Sequence, residues 1–164
     1  MLGFVASDGT SQAELREIPD APKFAGTPVI AGAKGLVLVA FAGREAPDAA
    51  WQLYVSLSQA GASPGPACAL IAARLGSAIS PAVAALSEGR WLVQWTEGDP
   101  GQTQVHVQSI AADLSALGER VLVSPKGANA GQGSLVPIAG GAAALFILTT
   151  AGQDELWGAT LACP

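Results

Sequence analysis

The chain has 164 residues, of which half are hydrophobic and 13% are charged, and its formal net charge is −5. This length predicts one domain with a single core, and the low charged fraction argues against disordered acidic or basic tails. No run of basic residues is present that could neutralise a phosphate backbone, so we expect no nucleic-acid partner.

The sequence carries no recognisable targeting signal. The segment Met1–Asp8 lacks the basic start and the apolar stretch of a secretory signal. The longest apolar stretches, Gly35–Gly43 and Gly140–Thr150, are much shorter than the roughly 20 residues that cross a bilayer as a helix. We therefore predict no signal peptide and no membrane span in this chain, and these observations leave the compartment open.

Three stretches of the chain recur at an offset of about 53 residues, a period typical of repeat architectures. The motif Pro28-Val-Ile-Ala aligns with Pro81-Ala-Val-Ala, and a third copy begins at Ser134. Further along each copy, similar segments recur about 51 residues apart and begin at Leu53, Gln104 and Glu155. We interpret these stretches as three copies of one unit.

Each unit is predicted to form four short strands. In the second copy, Ser87-Glu88-Gly89 supplies a hairpin turn, and Glu97–Thr103 forms a polar loop. The predicted strands of this copy are Pro81–Leu86, Arg90–Thr96, Gln104–Ile110 and Arg120–Ser124, with Asp113–Gly118 leading into the last.

Alternation along the second strand of each unit places apolar side chains on one face, because side chains in a strand alternate with period two. In the second copy these are Trp91, Val93 and Trp95. The corresponding positions elsewhere are also apolar: Val37, Val39 and Phe41 in the first copy, and Ala144, Phe146 and Leu148 in the third. This pattern predicts sheets that stack face to face.

Helix is disfavoured throughout the chain. Pro and Gly interrupt the sequence at short intervals, and no long stretch carries a 3.6-residue periodicity. The window Pro66–Leu75 is ambiguous, since its Ala and Leu residues fit a helix while its position fits the fourth strand of the first copy.

A resemblance to a known class of proteins follows from the second copy. The pattern Ser80-Pro-x-Val-Ala-x-x-x-x-Gly-x-x-x-Val-x-Trp95, followed by Asp113-x-x-x-x-Gly118, resembles the blades of bacterial extracellular and cell-envelope β-propeller repeat proteins. The resemblance covers about residues 22–164. It implies an all-β fold of tandem four-stranded antiparallel blades, a partial or small β-propeller, that serves as a scaffold without catalytic residues. A β-sandwich is the alternative fold, but it does not explain the period.

The whole chain is predicted to be a single β-repeat domain that starts in the middle of a unit. Residues 1–21 resemble the second half of a unit, residues 22–78 and 79–128 form two blades, and residues 129–164 form an incomplete third. The N-terminal strand could close the third blade. Alternatively, the chain forms a homo-oligomer that completes the ring, or it is part of a longer chain.

The sequence offers little for catalysis or metal binding. His106 is the single histidine, and its place in a predicted strand indicates a strand-surface residue rather than a general base. No Gly-x-Ser-x-Gly elbow or metal-ligand spacing is present, and Gly131-Gln-Gly133 precedes a strand instead of opening a phosphate-binding helix. Cys68 and Cys163 allow either one disulfide or two free thiols. We predict no cofactor and no metal.

The loops between the second and third strands are the candidate binding site. Each carries carboxylates close to the third strand, and in a propeller these loops gather on one face. Two tryptophans flank them, and acidic groups beside aromatic rings suit sugars, cations or a basic protein surface. The candidate residues are Glu45, Asp48, Trp51, Glu97, Asp99, Asp154, Glu155 and Trp157.

These observations favour a non-catalytic binding or structural module that presents acidic loops to a protein or glycan partner. The alternative is a carboxylate-dependent glycoside-cleaving enzyme, which would need two of these carboxylates about 5–10 Å apart across a pocket. The resemblance alone suggests an extracellular or cell-envelope location.

Overall fold

The computed structural model describes residues 15–71, 73–86 and 89–162, and all of the regular elements in these ranges are β-strands. The strands are β1 (Phe24–Ala33), β2 (Leu36–Arg44), β3 (Gln52–Gln59), β4 (Cys68–Ile71), β5 (Ser77–Ala85), β6 (Trp91–Gly98), β7 (Gln104–Ile110), β8 (Ala116–Leu122), β9 (Asn129–Ile138), β10 (Gly141–Thr150) and β11 (Gln153–Ala162). Within the described ranges, no helix is long and apolar enough to cross a membrane.

The strands form three antiparallel sheets in which sequence neighbours are also hydrogen-bonded neighbours. Sheet 1 contains β1–β4, sheet 2 contains β5–β8, and sheet 3 contains β9–β11. The first strand of each later sheet packs against the sheet before it, so sheet 2 lies between the other two. This is the arrangement of a partial β-propeller, as the sequence predicted, and it differs from the two layers of a β-sandwich.

The hydrophobic core occupies the two spaces between the sheets. Trp91, Val93 and Trp95 of β6 pack on one side against sheet 1, where they meet Leu38, Ala40, Leu53 and Val55. Leu92 of the same strand points the other way and packs against sheet 3. Every residue of β6 is therefore buried, because both faces of the middle sheet are covered.

A bulge interrupts the first strand of every sheet at an equivalent place. Thr27, Ser80 and Gln132 lie at these bulges with φ near +50°, a left-handed conformation that costs free energy for residues other than glycine. At the bulge in β9, the side-chain amide of Gln94 crosses from sheet 2 and donates to the carbonyl of Leu145 at 3.2 Å. Gly133 leaves the space for this amide, which a Cβ would overlap.

Equivalent hydrogen bonds tie each sheet to the next. At the first junction, the backbone N–H of Trp51 donates to Ser77 Oγ at 3.3 Å, and the N–H of Ala78 donates to the Trp51 carbonyl at 2.8 Å. At the second junction, the N–H of Thr103 donates to Asn129 Oδ1 at 3.4 Å, and the N–H of Ala130 donates to the Thr103 carbonyl at 2.8 Å. These bonds fix the start of one sheet against the second hairpin of the sheet before it.

The structure resolves or corrects three interpretations of the sequence. The ambiguous window Pro66–Leu75 contains the short strand β4 and no described helix. His106 is buried rather than on the surface, because β7 lies in the covered middle sheet. Glu97 belongs to β6, and Asp154 and Glu155 belong to β11, rather than to loops.

Some sequence interpretations concern residues outside the described ranges. These are the beginning of the predicted N-terminal half-unit (residues 1–14), the turn residues Ser87 and Glu88, and Cys163. Cys68 is a free, exposed thiol on β4.

Candidate functional site

One edge of the stack collects the connections between second and third strands together with the starts of β1, β5 and β9. The strand registers show this, because the first residue of each first strand pairs with a residue at or near the end of the second strand. The pairs are Phe24 with Arg44, Ser77 with Gly98, and Asn129 with Thr149. We call this edge the loop edge. The antiparallel order of each sheet brings all of the predicted binding residues to it or near it.

Sheet 1 contributes an exposed acidic connection to the loop edge. Glu45 and Asp48 lie in the segment between β2 and β3, and both are exposed. Trp51 ends this segment, and its ring packs on the Arg44 guanidinium, which lies 4.5 Å from the ring centroid. Phe24 covers the same guanidinium at 5.6 Å. This cation–π stack occupies one face of the Trp51 ring.

Sheet 2 contributes a carboxylate, Glu97, that stabilises the fold. Glu97 is 0% exposed, and its two oxygens accept four hydrogen bonds. Oε1 accepts from the backbone N–H groups of Arg74 (2.7 Å) and Leu75 (3.0 Å), and Oε2 accepts from Trp95 Nε1 (2.9 Å) and Arg120 (2.7 Å). Burial alone would raise the pKa of Glu97, but these donors and the Arg120 charge hold it below its usual value. No acceptor position remains for a ligand.

The single histidine is also part of the core. The His106 ring stacks on Trp95 with centroids 5.6 Å apart, and the residue is 5% exposed. Burial lowers the pKa of His106, and the nearby Arg120 charge lowers it further. The imidazole is therefore neutral near pH 7 and shielded from a bound molecule.

The remaining candidates are exposed. Asp99 follows β6 and lies beside Gly76, the last residue of the bend before β5. In β11, Asp154 accepts a hydrogen bond from Thr149 Oγ1 at 2.7 Å, and Glu155 accepts one from Trp157 Nε1 at 2.9 Å. These carboxylates carry their charge in solvent at the loop edge.

A small polar groove opens at the loop edge between sheets 2 and 3. Its volume is about 230 Å³, and Asp154 contributes a carboxylate to its lining. The rest of its polar lining consists of hydroxyl and amide side chains: Ser80, Thr96, Thr103, Asn129, Gln132 and Thr149. The left-handed residues at the bulges of β5 and β9, Ser80 and Gln132, both lie in this lining. Strained backbone of this kind is often found at functional sites.

The polar groove can bind a ligand through hydrogen bonds and through the negative charge of Asp154. Among the described residues, no three His, Cys, Asp or Glu side chains come together in a way that could hold a metal ion. Within that lining, Asp154 is the single titratable side chain. The sequence pointed to Asp154 but not to its neighbours, since hydroxyl and amide residues scattered over 70 positions give no local signal.

Comparisons with known proteins give distant structural similarity and no match in sequence. No protein-family model matches the chain, and no curated protein matches it. Two similar solved structures are sialidases from Trypanosoma rangeli. The first, in complex with 2,3-difluorosialic acid as a covalent intermediate, is 11% identical, with a TM-score of 0.49 over 99% of this chain and 33% of the sialidase chain. The second is 11% identical, with a TM-score of 0.45 over 96% and 38%.

The chain therefore spans 33% and 38% of the two sialidase chains. At this identity and TM-score, the likeness carries neither an activity nor a binding residue over to this protein.

Proposed function

We propose that this chain is a non-catalytic, β-propeller-type binding module whose polar groove takes a hydroxyl-rich ligand, a short glycan segment. Asp154 is the central ligand-binding side chain, with Gln132 and Asn129 beside it. The other exposed carboxylates of the loop edge, Glu45, Asp48, Asp99 and Glu155, form an acidic surround. The composition of the polar groove lining is the observation that carries this proposal.

Its polar lining matches the chemistry of a sugar. The Asp154 carboxylate and the Gln132 side-chain amide can each bind neighbouring hydroxyl groups. Asn129 Oδ1 already accepts from Thr103, so Asn129 offers its NH2 group as a donor. Gln132 is exposed, so its amide is accessible to a ligand. Ile79, Ala130 and Ile147 add apolar surface to the same groove, which suits the C–H groups of a sugar ring.

The positions and contacts of the carboxylates and of the histidine support binding without catalysis. Glycoside cleavage by the usual route needs two carboxyl groups that flank the scissile bond. The polar groove offers Asp154 alone, while Glu97 accepts four protein hydrogen bonds and His106 is enclosed by the core. The glycosidase alternative therefore has no second carboxylate among the described groove residues.

Glycan binding can be tested on the full chain. We expect it to bind members of a glycan microarray, and an oligosaccharide from that array to show saturation-transfer NMR signals with the protein. Asp154→Asn should weaken this binding at least about ten-fold, because a hydrogen bond to a charged group contributes roughly 1.5–3 kcal/mol.

A matched control distinguishes the effect of the polar groove on affinity from the effect of the overall negative charge at the loop edge. Asp48→Asn removes the same charge from an exposed carboxylate outside the groove lining, so affinity should change less than about two-fold. Absence of binding to every glycan at millimolar concentration would overturn the proposal. Release of new reducing ends from the oligosaccharide would favour the glycosidase alternative instead.

A further inference from the structure

A second groove opens between sheets 1 and 2, beside their last strands, β4 and β8. The end of β4 and the connection after it form one wall, and β7 and β8 form the other. Its volume is about 650 Å³, within the range of about 300–1,000 Å³ that is usual for small-molecule sites. We call it the outer groove. It is a different place from the polar groove, because the two have no lining residue in common.

Two arginines line the outer groove, and one buried carboxylate positions both of them. Glu97 Oε2 accepts from the Arg120 guanidinium at 2.7 Å, and Oε1 accepts from the backbone N–H of Arg74 at 2.7 Å. The Arg120 side chain is 17% exposed. Its bond to Glu97 uses one of the five N–H donors of a guanidinium, so further donors remain for a ligand.

Arg74 gives the outer groove a positive charge that the fold does not neutralise. Its side chain is exposed, and within the described ranges no ion pair joins it to a carboxylate. Glu119 also belongs to the lining, but alternation along β8 places its side chain on the face opposite to that of Arg120. Because Arg120 is already paired with Glu97, the charge of Arg74 matches a ligand with a single negative charge.

Apolar side chains continue the outer groove beside the arginines. Leu70, Ile71 and Ala73 line it and pack with their inner sides against the core between sheets 1 and 2. Ala116, at the start of β8, is exposed on the opposite wall. An inorganic anion would leave this apolar surface in contact with water. The lining therefore fits a ligand that has an apolar body as well as a charge.

Internal hydrogen bonds hold both walls of the outer groove in place. Gln108 is 6% exposed, and its Nε2 donates to the carbonyls of Leu117 at 3.3 Å and Gly118 at 3.1 Å. These bonds fix the start of β8 against β7. Glu97 likewise fixes the turn at residues 74–75 against β8. A site that is already formed loses less conformational entropy when a ligand binds.

We propose that the outer groove binds a small amphipathic carboxylate, a molecule with one carboxylate group and an apolar chain. The carboxylate lies between the guanidinium groups of Arg74 and Arg120, whose planar forks match its two oxygens. The chain packs on the apolar residues at the end of β4. In this arrangement Glu97, Arg120, the ligand and Arg74 alternate in sign, so every charge has an opposite charge beside it.

Sodium octanoate is the probe, and isothermal titration calorimetry on the full chain is the measurement. We expect saturable binding at millimolar concentration or below. Octan-1-ol has the chain without the charge, and acetate has the charge without the chain, so each should bind at least about ten-fold more weakly. Equal affinity for octanoate and octan-1-ol would overturn the role of the arginines. Equal affinity for acetate would indicate an adventitious anion only, and absence of octanoate binding would also overturn the proposal.

Arg74→Gln tests the site without disturbing the fold. It should weaken octanoate binding at least about ten-fold, because it removes the charge that the fold leaves unpaired. The bond to Glu97 uses the backbone N–H of Arg74, which glutamine retains, so circular dichroism should not change. Lys126→Gln, the matched control, removes the same charge from an exposed residue outside the lining and should change affinity less than about two-fold. Equal effects of the two substitutions would contradict the proposal.

Two further variants locate the bound molecule. Ala116→Asp places a negative charge on the exposed wall of the outer groove and should abolish octanoate binding, whereas unchanged binding would place octanoate elsewhere. Asp154→Asn, in the polar groove, should leave octanoate affinity unchanged. Arg74→Gln should in turn leave glycan affinity unchanged. The two proposals can therefore fail separately.

Discussion

Replacing Glu97 by glutamine is expected to lower the free energy of unfolding by about 3 kcal/mol or more, one of the two largest effects we predict. The carboxylate accepts four hydrogen bonds from three segments of chain: the turn at residues 74–75, β6 and β8. An amide of the same shape has one acceptor oxygen, and its NH2 group would face either the backbone N–H groups of Arg74 and Leu75 or both the Trp95 indole and the Arg120 guanidinium, donor against donor. Urea unfolding followed by tryptophan fluorescence measures the change.

Glu119→Gln is the matched control for this substitution. Glu119 is the residue before Arg120 on β8, but it is exposed, so its replacement should change stability by less than about 0.5 kcal/mol. A loss below about 1 kcal/mol for Glu97→Gln would contradict the structural role that we assign to the buried carboxylate.

The same carboxylate makes stability depend on pH. Because the folded pKa of Glu97 lies below its ordinary value of 4.5, its contribution is fully present above that value and is lost as the pH falls through the folded pKa. We expect the difference in stability between the wild type and Glu97→Gln to shrink steadily below about pH 4.5. Urea titrations at pH 7, 5, 4 and 3 measure this difference, and a constant gap across the series would be the contrary result.

Trp95→Ala should lower the free energy of unfolding by about 3–5 kcal/mol, the other large effect. Trp95 is fully buried in the core between sheets 1 and 2, stacks on His106 and donates its indole hydrogen to Glu97. The substitution leaves a cavity and takes one donor from a buried charge. Guanidinium unfolding followed by circular dichroism gives the size of the loss.

A pair of phenylalanine variants separates packing from hydrogen bonding. Trp91 is as buried as Trp95, but within the described part of the chain its indole nitrogen has no hydrogen-bond partner. Trp95→Phe should therefore cost about 1 kcal/mol more than Trp91→Phe, the difference being the lost bond to a charged group. Equal losses would show that the Trp95–Glu97 bond contributes little.

The sequence was most informative where a local pattern decides the structure. The alternation around Trp91, Val93 and Trp95 indicated a strand with one face against a neighbouring sheet, and β6 has that geometry. Turn residues and short apolar runs likewise marked the hairpins, because these features depend on neighbouring positions. The same reasoning left Pro66–Leu75 open, since propensity there competes with the contacts of β4 to β3.

The environment of individual side chains was harder to predict. Glu97 looked like a loop carboxylate, and its burial depends on Arg120 and the turn at residues 74–75, more than 20 positions away on either side. His106 looked exposed because alternation in β7 indicates two faces but not that both are covered. The polar groove combines residues from five strands and one connection, so no window of sequence contains it.

The covered middle sheet has a consequence for how the chain folds. Sheet 2 loses contact with water on both faces only after sheets 1 and 3 have packed against it, and the residues that meet there are distant in sequence, as Gln94 and Leu145 are at a separation of 51 residues. High contact order of this kind slows folding, because loop entropy must be lost before the contacts form. The middle sheet therefore acquires its full stability only when both neighbouring sheets have packed against it.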